Sequence, residues 1–245
     1  KNINEQIKEI IETLTKNSKK SSYIRDGFKP IIPQNTKIID VLLDNEILTI
    51  NFSKELLNID KDNEEKMIEA IIYSLTEIKE IKKIKILVEN NPLTKLPNSQ
   101  KKLPDYLDKN YGINKIYNLD SIKESTKTTI YYLSKFQDYH YFVPVTKINN
   151  EKTEKVEIII KELKSTPIYQ TNLISYLAAS ANITNYELLE NGIKLSFNNY
   201  LIANIKEEEA LEEVKYSIAL SLRDTYGINE VIFSIPNNEN TKINV

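Results

Sequence analysis

The feature that most constrains the fold is an internal repeat. Asn45–Phe52 (Asn-Glu-Ile-Leu-Thr-Ile-Asn-Phe) recurs as Glu190–Phe197 (Glu-Asn-Gly-Ile-Lys-Leu-Ser-Phe), and each copy is followed by a helix pattern and a short strand pattern. Because a repeated order of elements builds a repeated core, the 245 residues predict two small domains of one kind. Duplication of a whole domain repeats a surface or a scaffold, so it favours a non-enzymatic function over an enzyme.

The first half alternates between helical and extended periodicity. Apolar residues recur at helical spacing over 3–16, which predicts an amphipathic helix. The apolar runs 38–43 and 47–52 predict two strands joined by a short turn. Asp62 and Glu65 have the spacing of a capping box, which predicts the start of a second helix. A third strand is predicted from the alternating residues Ile84, Ile86 and Val88.

The second half repeats this order with a clearer turn. An apolar face over 156–163 predicts the first helix. Two strands, 183–189 and 193–197, flank Asn191-Gly192, a dipeptide that strongly favours a two-residue hairpin loop. The second helix and the third strand are predicted from the apolar positions Leu211, Val214, Ile218, Leu222, Val231, Phe233 and Ile235.

The second half also opens with strands that the first half lacks. Segments 128–133 and 139–143 predict an aromatic-rich hairpin, and the matching N-terminal strand of the first domain is expected to be missing. The proline-containing segment 90–120 predicts a tail or connector with one helical turn. These patterns predict an α+β chain with domain 1 over 1–120 and domain 2 over 127–245. Each domain is expected to pack two helices on a small three-stranded sheet.

The composition excludes several classes of function. Lys and Arg number 33 against 35 Asp and Glu, so the basic surplus of a nucleic-acid or anionic-membrane binder is absent. The lack of cysteine excludes thiolate metal sites, disulfides and thiol nucleophiles. Only 4 glycines are present, and they form no phosphate-binding loop. No apolar run reaches the ~18 residues of a membrane span. We predict no cofactor.

Candidate catalytic and metal-binding residues are few. His140, the only histidine, lies in an aromatic strand without a nucleophile motif, so we interpret it as structural. The acidic run 58–65 lacks the central glycine and the closing glutamate of an EF-hand loop. Glu77 and Asp224 occupy equivalent places in separate units, which indicates structural roles. We predict no catalytic site and no metal site. One alternative function is a hydrolase, which would need two close carboxylates in a cleft.

Aromatic residues are concentrated between positions 131 and 142. Such density is typical of a surface that stacks on sugars or contacts a protein partner. The alternative is that the inward-facing rings pack a strand against its own core. The predicted partner surface consists of Tyr131, Tyr132, Phe136, Tyr139, Tyr141 and Phe142.

Two segments of the first half resemble the GerMN domain family. Ile47–Leu56 contains a strand that ends in Ile-Asn-Phe-Ser, and Ala70–Val88 contains Ser-Leu-Thr-Glu followed by Ile-Lys-Lys-Ile. The family pattern is a strand ending in Val/Ile-Asp/Asn-Phe-Ser, a helix with a Thr-Leu-Thr-Glu-like segment, and a Val-Lys-Lys-Val-type strand. The second half keeps the apolar skeleton of this pattern, but Asn198 replaces the serine that follows the phenylalanine.

The resemblance implies a fold, a location and a kind of partner. The family's unit is of the ring-building-motif type, it occurs in tandem in sporulation and spore-germination lipoproteins, and it has no catalytic residues. Such proteins are anchored by lipid outside the cytoplasmic membrane, in the intermembrane space of the sporulating cell. There they support the complex that connects mother cell and forespore.

The implied function is therefore a non-enzymatic scaffold in spore formation or germination. Its partners would be other sporulation envelope-complex proteins or the protein itself, with no nucleic acid, and a lipid anchor would lie upstream of the chain. The alternative is a cell-wall module whose aromatic segment 131–142 stacks on the glycan of peptidoglycan.

Overall fold

The chain folds into two units, and each has an apolar core of its own. The computed structural model describes residues 2–121, 123–165, 172–204 and 206–245. The units are Lys1–Ile113 and Asn114–Val245. This division precedes the predicted end of domain 1 at residue 120, because Ile116–Asn118 pair with a strand of the second unit. The final part of the expected tail therefore belongs to the second unit.

The first unit contains two helices and four strands. They are α1 (Ile3–Leu14), β1 (Ile38–Asp44), β2 (Ile47–Phe52), α2 (Glu64–Leu75), β3 (Lys83–Val88) and β4 (Asn91–Pro92). α1 begins where the side chain of Asn2 accepts a hydrogen bond from the backbone N–H of Asn4 over 2.7 Å, which satisfies a donor that helix starts leave unpaired. It ends two residues earlier than predicted, because Thr15 forms a β-bridge with Ile32.

The sheet of the first unit has the strand order β1-β2-β3-β4. β1 and β2 are antiparallel and are joined by Asn45 and Glu46, whose φ angles of 48° and 63° suit the tight turn of a hairpin. β2 and β3 are parallel, and α2 provides the long connection that parallel neighbours need. Alternate residues of β2 and β3 are buried with the apolar faces of α1 and α2 in one core.

The second unit repeats this layout after a long hairpin. Its elements are β5 (Ile116–Asn118), β6 (Thr126–Phe136), β7 (Tyr139–Asn149), α3 (Lys155–Lys164), β8 (Leu173–Ile174), β9 (Ile183–Leu188), β10 (Gly192–Phe197), α4 (Glu208–Tyr226), β11 (Glu230–Ser234) and β12 (Thr241–Asn244). β9 and β10 are antiparallel, and β10 and β11 are parallel across α4, as in the first unit. The predicted α+β fold is confirmed. Of the described helices, none is long and apolar enough to cross a membrane.

Both repeat sheets have four strands, whereas three were predicted. β4 adds to β3, and β12 adds to β11, in each case antiparallel and at the outer edge. β4 has only 2 residues and β12 only 4, so neither shows a strand period in the sequence. The predicted opening hairpin is present as β6 and β7, which have 11 residues each and belong to a separate sheet of order β5-β7-β6-β8.

Helices α3 and α4 hold this hairpin. Ile130 and Tyr132 of β6 are buried in one core with Val156 and Ile159 of α3. On the edge of β6 away from β7, the backbone N–H of Tyr131 donates to Ser221 Oγ of α4 over 2.9 Å. Because an unpaired strand edge exposes backbone donors, this hydroxyl closes part of the edge. The base of the hairpin is therefore fixed, and its turn lies farther from the helices.

Candidate functional site

The six aromatic residues predicted as a partner surface lie on the β6–β7 hairpin, and its register assigns them to two faces. Phe136 pairs with Tyr139 across the turn. Opposed residues of antiparallel strands point to the same face, and residues two apart in a strand share a face. One face therefore carries Tyr132, Phe136, Tyr139 and Tyr141, and the other carries Tyr131 and Phe142.

Two of the six residues are buried, so they do not belong to a surface. Tyr131 is 7% exposed and its hydroxyl donates to Asp224 Oδ2 of α4 over 2.5 Å. Tyr132 is 1% exposed, and Lys147 Nζ lies 5.7 Å from the centre of its ring. Burial raises the pKa of Tyr132, and the nearby Glu162 carboxylate raises it further. Both residues lie in the middle of β6, where helices cover the strand.

Three of the six residues form a cluster near the turn, and two of these are exposed. Tyr139 is 66% exposed and Phe136 is 37% exposed, while Tyr141 is half-buried. We call Phe136, Tyr139 and Tyr141 the aromatic tip. Single exposed aromatic residues are common, but adjacent ones on one rigid strand pair are typical of a contact surface. That the aromatic tip contacts a partner stays a prediction.

The opposite face of the hairpin meets α4 and is only partly accessible. The Phe142 ring lies 6.4 Å from that of Tyr216 on α4. His140 Nδ1 lies 2.5 Å from Glu213 Oε1, and its ring is 6.1 Å from that of Tyr176. Tyr216 and Tyr176 are exposed and were not predicted as surface aromatics. Tyr216 lies outside the apolar spacing of α4, and this position in the sequence could have predicted that its ring is at the surface.

The carboxylates compared in the sequence have structural partners. In the first unit, Glu77 Oε1 accepts a hydrogen bond from Lys109 Nζ over 2.7 Å. In the second unit, Asp224 accepts from Tyr131 and, over 2.9 Å, from Arg223 Nε. Across the residues that the structure describes, no group of three or more His, Cys, Asp or Glu side chains could hold a metal ion.

The family-motif serine and its replacement perform the same structural task. In the first unit, the backbone N–H of Lys37 donates to Ser53 Oγ over 3.0 Å, and the Ser53 N–H donates to the Lys37 carbonyl over 2.9 Å. In the second unit, the Asn182 N–H donates to Asn198 Oδ1 over 2.8 Å, and the Asn198 N–H donates to the Asn182 carbonyl over 3.0 Å. The motif closes the open end of the β1–β2 and β9–β10 hairpins, so it is not a reactive site.

Comparison with known proteins agrees with this repeat and its motif. Residues 1–94 match the family model described as Germane, sporulation and spore germination. The chain is 26% identical over 230 residues to the spore germination protein GerM of Bacillus subtilis (strain 168). The resemblance to the GerMN family is confirmed. The alignment covers 91% of this chain and 63% of that relative, so the chain spans less than two thirds of the relative's length.

A solved structure shows the same fold as the two units together. The tandem GerMN domains of the sporulation protein GerM from Bacillus subtilis match with a TM-score of 0.83 at 22% identity. The match covers 95% of this chain and 82% of that chain. The family and the relatives that match are named for sporulation and spore germination, and none of these names indicates a catalytic activity.

Proposed function

We propose that this chain is a non-enzymatic assembly protein of sporulation, acting in spore formation or germination. Within this proposal it lies outside the cytoplasmic membrane, in the intermembrane space of the sporulating cell, and a lipid anchor precedes it. It supports the complex that connects mother cell and forespore. The names of the matched family and relatives support the sporulation role.

The observation that carries this proposal is the aromatic tip. Phe136 and Tyr139 are opposed on a hairpin whose base is buried between helices, so their exposure is a property of a rigid element. Tyrosine is enriched at the centres of protein interfaces, because it buries a large area with few rotatable bonds. Each tip residue is expected to contribute about 1–2 kcal/mol to binding when a partner covers it. The partner is another protein of the sporulation envelope complex or a second copy of the chain.

Glycan binding by the same tip is the second candidate function. Tyr139 is 66% exposed and lies opposite another aromatic ring, and exposed aromatic rings are also suited to stack on the apolar face of a sugar. In that case peptidoglycan, rather than a protein, covers the aromatic tip.

A double substitution tests both functions. Phe136→Ser with Tyr139→Ser removes the two most exposed tip residues. It is expected to reduce stability by about 1 kcal/mol, since the two rings form one cross-strand pair at the surface. Tyr117→Ser is the matched control, because Tyr117 is 58% exposed on β5 of the same unit. A photo-crosslinking amino acid at position 139 identifies the partner in sporulating cells, and heat-resistant spore counts measure function.

Each outcome selects one alternative. Crosslinks to sporulation-envelope proteins or to a second copy, together with spore counts reduced by the double variant but not by the Tyr117 control, support the assembly role. Co-sedimentation of the wild-type chain with purified peptidoglycan, abolished in the double variant, supports the glycan-binding role. Both uses of the aromatic tip would be refuted if position 139 gave no specific crosslinks and the double variant left sedimentation with peptidoglycan and spore counts unchanged.

A further inference from the structure

The two repeats differ at one flank of the second helix. In the first unit this flank is covered by the chain itself, because Glu64 accepts hydrogen bonds from the backbone N–H groups of Asn98 over 2.7 Å and Ser99 over 2.9 Å. Leu96 and Leu103 of the same segment are buried in the core. Segment 94–103 therefore packs on the start of α2 and contributes to the core of the unit.

In the second unit the equivalent flank borders a cavity of about 410 Å³. Its apolar lining comes from the loop after β10, from α4 and from the end of β11, through Leu201, Ile202, Leu211 and Ile235. In the alignment of the two repeats, Leu211 occupies the place of Glu64. The second unit thus has an open groove where the first unit has a covering segment.

The last strand carries the chain away from this cavity. Thr241 at the start of β12 lines the cavity, whereas the backbone N–H of Val245 donates to the carbonyl of Asn229 near the opposite end of β11. Four residues of extended chain span roughly 13 Å. In the first unit, by contrast, the covering segment follows β4 directly. β12 itself therefore does not cover the cavity.

A buried lysine faces the cavity at a core position. Lys215 lines it, is 4% exposed, and stands where the first unit has Ile68, which is fully buried. Among the described residues, the one partner of its ammonium group is Glu212 Oε1 at 2.9 Å. An ammonium group has three donor hydrogens, and buried donors without acceptors are destabilising. Carbonyl oxygens of an extended peptide would supply further acceptors beside Glu212.

The rim of the cavity favours a basic occupant. Glu208 and Glu239 line it in addition to the apolar residues, so acidic groups outnumber the single lysine. In the first unit Glu65, the counterpart of Glu212, pairs with Lys101 of the covering segment over 2.9 Å. In the second unit Glu212 already pairs with Lys215, so a lysine in the occupant would face the rim carboxylates of Glu208 and Glu239.

We propose that this cavity binds an extended segment of a partner protein that contains leucine and lysine residues. The segment takes the place that 94–103 takes in the first unit: its leucine side chains fill the apolar lining, its carbonyl groups accept from Lys215, and its lysine pairs with the rim glutamates. This site is separate from the aromatic tip, so it does not rest on the function proposed for the tip.

A peptide titration of the full chain tests the proposal. The probe is a synthetic peptide with the sequence of residues 93–104, Leu-Thr-Lys-Leu-Pro-Asn-Ser-Gln-Lys-Lys-Leu-Pro, and binding is followed by NMR of the ¹⁵N-labelled chain. Saturable shifts are expected at Leu201, Leu211 and Ile235. A peptide in which both non-terminal leucines are replaced by serine is expected to bind at least about tenfold more weakly, since it loses the two side chains that fill the apolar lining.

Matched variants localise the binding. Lys215→Met is expected to weaken binding about tenfold, because a charge-assisted hydrogen bond is lost, and Lys242→Met on the exposed surface of β12 is the control. Asn238→Trp at the exposed rim keeps the core intact and is expected to block the cavity.

Several results would overturn the proposal. They are the absence of saturable shifts at millimolar peptide, shifts confined to the first unit, equal binding by the serine peptide, and binding that Asn238→Trp does not reduce. Occupation of the cavity by the protein's own chain, detected as loss of peptide binding in a version extended beyond Val245, would overturn it as well.

Discussion

Glu64 provides the sharpest test of how the first unit keeps its covering segment. The residue is 1% exposed at the start of α2, and its two carboxylate oxygens accept from the backbone N–H groups of Asn98 and Ser99. Substitution Glu64→Ala removes both acceptors and leaves the rest of the helix unchanged. We expect segment 94–103 to detach locally and the first unit to lose stability.

The magnitude follows from the two hydrogen bonds. A hydrogen bond to a charged group contributes about 1.5–3 kcal/mol net, so two bonds of 2.7 and 2.9 Å give an upper range of about 3–6 kcal/mol. Asn98 and Ser99 are exposed residues, and water can replace the lost acceptor once the segment moves. We therefore expect Glu64→Ala to reduce the free energy of unfolding of the first unit by about 2–3 kcal/mol.

The effect is expected to depend on pH. Burial alone would raise the pKa of Glu64, but the hydrogen bonds from Ser99 and Asn98 outweigh it and hold the pKa below the ordinary value of 4.5. A lowered pKa in the folded state means that the stabilisation is complete above the ordinary value and is lost as the pH falls through the lowered one. The wild type should therefore lose its advantage in unfolding free energy over the Glu64→Gln variant as the pH falls below the lowered pKa of Glu64.

Hydrogen exchange with mass spectrometry on the full chain measures both the loss of stability and its dependence on pH. Faster exchange is expected in segment 94–103 and, to a smaller extent, in β2 and β3. Glu65→Ala is the control, because Glu65 forms a partly exposed ion pair with Lys101 that contributes no more than about 1 kcal/mol. Unchanged exchange in 94–103 of Glu64→Ala, or equal effects of the two variants, would refute the reasoning.

Three further predictions concern the second unit, each measured as the change in its unfolding free energy by the same exchange method. Gly192→Ala should destabilise it by about 1–3 kcal/mol, since an added Cβ would lie 2.7 Å from the backbone oxygen of Glu230. Asn198→Ala should remove the acceptor of the Asn182 N–H and destabilise by about 1 kcal/mol, while Asn198→Ser should recover most of that. Ser221→Ala leaves the β6 backbone donor unsatisfied and should reduce stability by about 1–3 kcal/mol; values near zero would contradict each prediction.

Local patterns in the sequence were sufficient for the repeat and its hairpins. Apolar residues spaced for helices mark α1 and α3. Asn191-Gly192 lies at the β9–β10 connection but is not the two-residue loop that was predicted, because Gly192 is already the first residue of β10 and pairs with Glu230 of β11. The loop lies one residue earlier, where the backbone N–H of Leu189 donates to the carbonyl of Gly192. The strand patterns have the correct order because alternate burial and turn chemistry are local properties. The capping box expected from Asp62 and Glu65 does not describe the helix start, which is at Glu64 after Asn63. The carboxylate of Glu64 instead binds a segment that lies more than thirty residues later in the sequence. A pattern within a few neighbouring residues cannot predict a contact at that sequence separation.

The aromatic segment shows a similar limit. Spacing alone places Tyr132 and Phe136 on one face of β6, but it does not show where a helix stops covering that face. Tyr132 is buried in one core with residues of α3, whereas Phe136 lies beyond it at the turn. Burial along a strand depends on which helix packs against it, and this is a tertiary property that overrides the local pattern.

The two units share the hydrogen bonds that close their hairpins but differ at the flank of the second helix. This difference is informative about function. The hydrogen bonds that close the first hairpin of each repeat persist even though Ser53 in one unit is replaced by Asn198 in the other. At the flank of the crossover helix, by contrast, a buried isoleucine is replaced by Lys215. Lys215 has Glu212 as an ion-pair partner, but removing an ammonium group from water still costs free energy that a hydrocarbon side chain does not cost, so stability alone would favour a hydrocarbon at that position. The lysine borders an open cavity, so a bound segment that supplies acceptors would offset the desolvation free energy of its ammonium group. The repeats are then expected to diverge at the place where the second unit contacts a partner.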